Sequence, residues 1–520
     1  MGTEVHDPSP EARFAGLEVL AEGARVTGGR SGATVDSYVQ PMGYRWCYVA
    51  VFKDTAMEAA EMTVHMVVGL RGEVADVSVH SGSGPAALDR CVTEHLRYTS
   101  FPRAGALVDV TYAVRFVPPG GAAAGKPPAP TTPGTTRWSQ RFPQTDPLRF
   151  DDLAVDGQGR VVAVGTVTAP VTLDDLSLAP REGATPFLVR LDAQGHAVGG
   201  AILDALPHGN AWLLVAAAGE DAVVAGPADD GGSQISIHAP PGAPFVARVG
   251  PTGAVRWIRP LPVERVTGLA VAADGAVAFA GILKEPAGTK TSMVARLSAD
   301  GAPVWQKTLG DLAEPNFHWP ATVRGVAVDG EGAVLVAGFV EPWNGIGHLD
   351  LGQGSVNPHG ESGFVAKFAP DGQVLWSRGI TYSESYAVAA GGDTVAVIGD
   401  ARCGSVERAP FVLAIDDATG SERWARWMPP EPEGRRLSAA RVTVATDGAV
   451  AFTALGGDEL HVVVGSVDRS GAVAWSRVIY PAAKEQAPPP AIVAAPSGLV
   501  LLPTRDRPGR DVGRIIGLVK

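Results

Sequence analysis

Val326–Gly338 reads ValAlaValAspGlyGluGlyAlaValLeuValAlaGly, and Phe364–Trp376 reads PheValAlaLysPheAlaProAspGlyGlnValLeuTrp. Each stretch is a hairpin. Apolar residues alternate with period two on either side of a short Gly turn, the signature of two antiparallel strands. Together they make four strands, and the pair recurs along the chain. The second half begins again at Phe187, Phe245, Met293, Phe411 and Val463. A Gly-centred turn and a Trp follow: Trp257, Trp305, Trp376, Trp424 and Trp475, with Gly199 in the Trp position of the first copy. The first half recurs near Asp151–Gly165, Leu213–Gly226, Gly268–Gly281, Tyr386–Gly399, Ala440–Ala454 and Ile492–Thr504.

One copy of the second half is split. The chain closes with Ile515–Val519, and the turn and Trp that should follow stand far upstream at Gly134–Trp138. A four-stranded unit repeated in this way forms a ring of sheets, and pairing the first strand with the last removes an exposed edge. The expectation is an all-β seven-bladed propeller over residues 134–520, closed by a split blade. Its Trp series is read as packing between neighbouring blades, with a ligand-binding series as the alternative. Turns within hairpins are short and regular. The connections between hairpins hold the length variation, as in Thr166–Pro186, Pro227–Pro244 and Val340–Gly363. One end of the ring should therefore be regular and the other variable, and binding residues concentrate on such loops.

The longest variable insertions bring together Phe317, His318, Trp319, Trp343, His348 and His359. They form a candidate binding patch, or else aromatics that pin their own loops. A metal held by His348, Asp350, His359 and Glu361 matches no ligand spacing, so no metal and no cofactor is expected.

Ahead of the ring, residues 119–133 are a Pro/Gly/Ala linker. Before it, the pattern gives strands over Glu61–Leu70, Glu73–His80 and Ala106–Val117, with helices around Gly43–Lys53 and Pro85–Phe101. This is a small α+β domain over residues 41–118. Residues 1–40 are expected to be weakly helical or poorly ordered. Cys47 and Cys91 lie in the small domain and Cys403 lies alone in the repeats. A zinc site of Cys91, His95 and Cys47, or free thiols, is one reading of the pair.

Charged residues are 19% and the formal net charge is −12, which argues against non-specific nucleic-acid binding. No apolar run is long enough to span a bilayer, and Met1–Gln40 shows no basic and apolar leader. No catalytic fingerprint stands in a fitting context, so no enzyme is expected.

Three resemblances add to this reading. Phe364–Ser377 looks like the bacterial propeller repeat D-x-F-V-A-K-L-x-x-x-G-x-x-x-W. That likeness implies envelope or surface proteins without assigned catalysis. Ala414–Trp424 is similar to the A-x-D-x-x-T-G-x-x-x-W repeat of quinoprotein alcohol dehydrogenases. It implies an enzyme only as a remote alternative, because the adjacent-cysteine pair and the calcium carboxylates are missing. Residues 41–118 resemble the AgmX/PglI C-terminal domain, a version of the TonB C-terminal fold. The match runs through Trp46–Tyr48, Val64–Val79, Leu88–Val92, Phe101–Arg103 and Val108–Phe116. That resemblance implies a disulfide between Cys47 and Cys91, which would stabilise by about 3–4 kcal/mol through its 44-residue loop. It also implies an envelope or surface location. The expected function is a non-catalytic interaction or scaffold protein with a protein partner, or alternatively a glycan- or ligand-binding propeller. A monomer is expected.

Overall fold

The computed structural model describes residues 18–28, 41–52, 58–68, 74–97, 108–117, 136–141, 148–180, 183–208, 212–228, 244–284, 290–309, 321–340, 349–350, 355–356, 362–381, 383–401, 409–428, 437–456, 462–480, 491–495, 498–502 and 514–518.

The N-terminal unit runs Glu18–Gly28 (β1), Pro41–Phe52 (α1), Ala60–Val68 (β2), Val74–Ser83 (β3), Ala86–Arg97 (α2) and Val108–Val117 (β4). Its antiparallel sheet has the order β1-β4-β2-β3. Strict alternation builds it: Met62, Val64, Met66 and Val68 of β2 are buried, while Glu61 and Thr63 on either side of Met62 are exposed. Val110, Tyr112, Val114 and Phe116 of β4 join the same core. The helices cover that face with Tyr44, Cys47, Tyr48 and Phe52 from α1 and Leu88, Val92 and Leu96 from α2, at one-turn spacing.

One expectation is corrected here. Residues 18–28 are neither helical nor outside the unit; β1 pairs with β4 along its whole length. A register shift between Glu22 and Arg25 breaks the period-two pattern that would have marked the strand. The α+β unit therefore begins before residue 41.

The rest of the chain is a β-propeller built of blade-like four-stranded antiparallel sheets, numbered here in chain order among the described residues. Their innermost strands are Leu148–Val155, Trp212–Ala218, Arg265–Val271, Ala321–Val328, Ser383–Gly391, Leu437–Val444 and Ala491–Ala495. Each touches the next in turn, and the last also touches the first. The outermost strands of sheets 1 to 6 are Ala197–Ile202, Val255–Pro260, Pro303–Leu309, Val374–Thr381, Glu422–Trp427 and Val473–Tyr480. In sheet 7 the outermost strand is Thr136–Arg141, which pairs with Arg514–Leu518. Second strands such as Val161–Val167 and Val334–Val340 are buried at every position, as strands covered on both faces must be.

The repeated Trp has a structural role. In sheets 2, 3, 4 and 6 it stands opposite the penultimate residue of the third strand: Trp257 opposite Arg248, Trp305 opposite Arg296, Trp376 opposite Lys367 and Trp475 opposite Ser466. In sheets 2 to 5 the Trp reaches the outer turn of the next sheet. Trp257 Nε1 donates to Ala299 O (3.0 Å), Trp305 to Pro370 O (3.0 Å), Trp376 to Asp417 O (2.9 Å) and Trp424 to Arg469 O (3.0 Å). The ring lies on the turn glycine. A Cβ on Gly301, Gly372, Gly420 or Gly471 would stand within 2.9 Å of it. Those glycines also have φ between 73° and 89°, which L side chains disfavour.

Trp427 joins the two parts of the molecule. It packs against the hydrophobic core of the N-terminal unit, and α1 contacts the strand that carries it.

Candidate functional site

The innermost strands share a device that places side chains at one end of the ring. Five carry an inserted residue near the start, at Asp151, Thr267, Arg324, Tyr386 and Ala440; in sheet 2 the register shifts beside Leu213 through an extra residue on the second strand. Such bulges bend a strand and re-aim the residue they insert. They also explain the glycine that closes the first half of the repeat. A Cβ on Gly165, Gly338 or Gly399 would collide with the carbonyl of Arg149, Thr322 or Glu384 on the bulged strand alongside.

Charge on these strands is confined to the bulged end. Arg149, Asp151, Asp152, Arg265, Arg324, Glu384 and Arg441 all fall within the first five positions of their strands. The remainder of each strand is apolar, small or Thr. The starts of the innermost strands lie at the end reached by the long, variable connections.

The best-defined cluster joins sheets 1 and 2. Arg149 donates twice to the buried carboxylate of Asp151, at 2.6 Å and 3.2 Å, and its guanidinium lies 4.1 Å from the centre of the Trp212 ring. Asp151 also accepts from the Leu213 N–H (3.3 Å), and Asp152 accepts from the Val215 N–H (2.9 Å). Burial raises Asp151 to about 7, against the opposing pull of Arg149 and the Leu213 amide. Burial likewise raises Asp152 to about 6, opposed by Arg441 and then by the Val215 amide. Asp152 and Arg441 belong to sheets 1 and 6, with sheet 7 between them, so this attraction skips one sheet.

Elsewhere on this end, Tyr386 donates to Glu384 (2.8 Å). Asp400 accepts from Ser438 Oγ (2.8 Å) and the Ala439 N–H (2.9 Å). Arg324 sits 5.7 Å above the Phe339 ring. The carboxylates Asp151, Asp152 and Asp400 thus hold backbone amides of neighbouring strands. The arrangement is a polar, hydrogen-bonding mouth whose acids also fasten sheet to sheet.

Cys47 and Cys91 form a disulfide, with Cα atoms 5.5 Å apart, linking α1 to α2. Both sulfurs are consumed, which takes the thiolates away from the zinc alternative. His95 is buried beside them, edge-on to Tyr44, and burial lowers its pKa to about 4. Phe317, His318, Trp319, Trp343, His348 and His359 lie outside the described residues, as do Glu361 and Cys403. The ring of bulges was not anticipated. Its signal was the glycine that ends the first half-repeat in sheets 1 to 5, which marks a close backbone approach inside a strand; Ala454 takes that place in sheet 6.

No protein-family model matches the chain, and no curated protein matches it. Among solved structures it is similar to the β-propeller domain of the Trilobed protease from Pyrococcus furiosus, described as having an open velcro topology. The identity is 12% and the TM-score 0.40, covering 71% of this chain and 96% of that one. It is also similar to the Trypanosoma rangeli sialidase in complex with 2,3-difluorosialic acid. There the identity is 8% and the TM-score 0.38, covering 73% of this chain and 58% of that one. Among the described residues no helix is long and apolar enough to cross a membrane.

Proposed function

We propose that this chain is a non-catalytic interaction protein of the bacterial envelope or cell surface. In this reading it is a seven-bladed propeller closed by a split blade, preceded by a TonB-like unit of the AgmX/PglI kind. The observation that carries the proposal is the disulfide between Cys47 and Cys91, because such bonds persist in oxidising compartments. Support for the ring comes from the unbroken succession of innermost-strand contacts and from the pairing of Thr136–Arg141 with Arg514–Leu518. Support for a non-catalytic role comes from the buried carboxylates, which are committed to backbone amides. A protein partner would be read at the variable end, or by strand pairing at the free edge of β3.

Two measurements test this. Mass mapping of the natively expressed protein without reductant should find Cys47 and Cys91 joined; free thiols would remove the envelope reading. Affinity capture with the full chain from an envelope extract should recover a protein that is lost when Trp319 and Trp343 are both changed to Ala. If instead a glycan array shows binding that the same double change abolishes, the ligand-binding alternative takes over.

A further inference from the structure

The N-terminal unit does not hang free of the ring. Helix α1 is the layer between its sheet and the rim of sheet 5: it packs on β1, β4 and α2 on one side and meets Glu422–Trp427 on the other. Trp427 is partly buried against two cores at once, that of the N-terminal unit and that shared by sheets 4 and 5. Tyr44, one turn before Cys47 on α1, is fully buried and hydrogen-bonds Tyr112 of β4. Arg378 of sheet 4 donates to Glu422 at 2.6 Å, at the start of the strand that ends in Trp427. The helix that meets the rim is therefore the helix that carries the staple.

That staple is accessible from one side. Cys47 is fully buried, whereas Cys91 on α2 is partly exposed. The more exposed of the two residues, Cys91, is the side from which an incoming thiolate would attack.

We propose that the Cys47–Cys91 disulfide is the latch of a redox-sensitive clasp that holds the N-terminal unit on the rim of the propeller. A dithiol reductant opens it. One thiolate attacks the Cys91 sulfur, the S–S bond breaks, and Cys47 leaves as a thiolate and takes up a proton. The second thiol then displaces Cys91, so the protein gains two thiols and the reductant becomes a disulfide. Without the staple, α1 is held to α2 by packing alone, and its docked face loosens together with its contact to Glu422–Trp427. Release uncovers Trp427 and the outer edge of its strand, both able to receive a partner.

Hydrogen exchange of the full chain, with and without dithiothreitol, tests the clasp. Reduction should speed exchange by at least tenfold in both Pro41–Phe52 and Glu422–Trp427, and leave Val255–Pro260 unchanged. Trp427→Ala should produce the same paired change without reductant. Faster exchange in Pro41–Phe52 alone, or in neither segment, overturns the proposal. The double variant Cys47→Ser and Cys91→Ser should match the reduced protein; if it does not fold, the dithiothreitol comparison on the folded, oxidised chain decides.

Discussion

Between sheets 4 and 5, Trp376 and Lys367 reach across together to the same carbonyl, Asp417 O. Between sheets 1 and 2, Gly199 stands where the tryptophan would be, and Arg190 reaches across alone to Pro251 O (3.1 Å) and Glu220 O (2.8 Å). The first junction combines an aromatic plate laid on Gly420 with a cation held by Asp329 and Asp417, at 2.7 Å and 2.8 Å. Burial opposes the charge on Lys367, and the hydrogen bonds to those two carboxylates outweigh it, so its pKa stands above the ordinary lysine value. The second junction has moved its fastening inward, to Arg149, Asp151, Asp152 and Trp212 on the innermost strands. A repeat can therefore lose its most recognisable residue and keep its neighbour, provided polar groups elsewhere on the seam take over.

The largest effect expected is at Lys367. Changing it to Met leaves two carboxylates buried without their cation, and should lower stability by about 3–5 kcal/mol in chemical denaturation. A loss under about 1 kcal/mol would show that the junction of sheets 4 and 5 rests on the aromatic plate alone. Trp376→Ala should cost about 3 kcal/mol by cavity formation and loss of its hydrogen bond. Arg190→Met, at the plate-free junction, should cost only about 1–2 kcal/mol. Equal losses would erase the contrast.

Protonation separates the junctions next. Asp151 has its folded pKa raised to about 7, above the value of an unfolded Asp. A carboxyl shifted upward contributes stability at low pH that is lost as pH rises through the folded value. The stability of the wild type relative to Asp151→Asn should therefore fall by about 2 kcal/mol between pH 5 and pH 7, and level off above. A flat difference would mean that Arg149 keeps the carboxylate ionised in the fold. The smallest effects, of opposite sign, belong to two glycines. Gly420 has φ of 73° and would press a Cβ to within 2.8 Å of Trp376, so Gly420→Ala should destabilise by about 1–2 kcal/mol. Gly199 has open space around it, so Gly199→Ala should stabilise by about 0.5 kcal/mol. Thermal unfolding of both variants reads the two signs.

The sheets were legible because they repeat one local chemistry: alternation, a turn glycine and, in all but the first, a tryptophan. The pairing of Thr136–Arg141 with Arg514–Leu518 was legible for the same reason, since half a repeat at each end must complete the other. The strand β1 was hidden, because its pattern is broken by a bulge and its partner lies far along the chain. The charged mouth was hidden differently. Arg149, Arg265, Arg324 and Arg441 sit in separate repeats, and only the ring brings their strands to one circle. Their shared register is a property of backbone pairing, where a one-residue insertion re-aims a side chain without altering its identity. Docking of Trp427 on the N-terminal unit had no local signal, since the residue reads like any other apolar position of an outermost strand.

The pairing that completes sheet 7 also sets a timetable. Thr136–Arg141 leaves the ribosome early, yet its partner strand Arg514–Leu518 is several hundred residues downstream. At roughly 5–20 residues per second, that wait is on the order of tens of seconds. For that interval the nascent propeller is an open arc, lengthening one sheet at a time with an unmatched strand at its head. The N-terminal unit, whose strands and staple are all made by residue 117, is finished well before the rim it rests on exists.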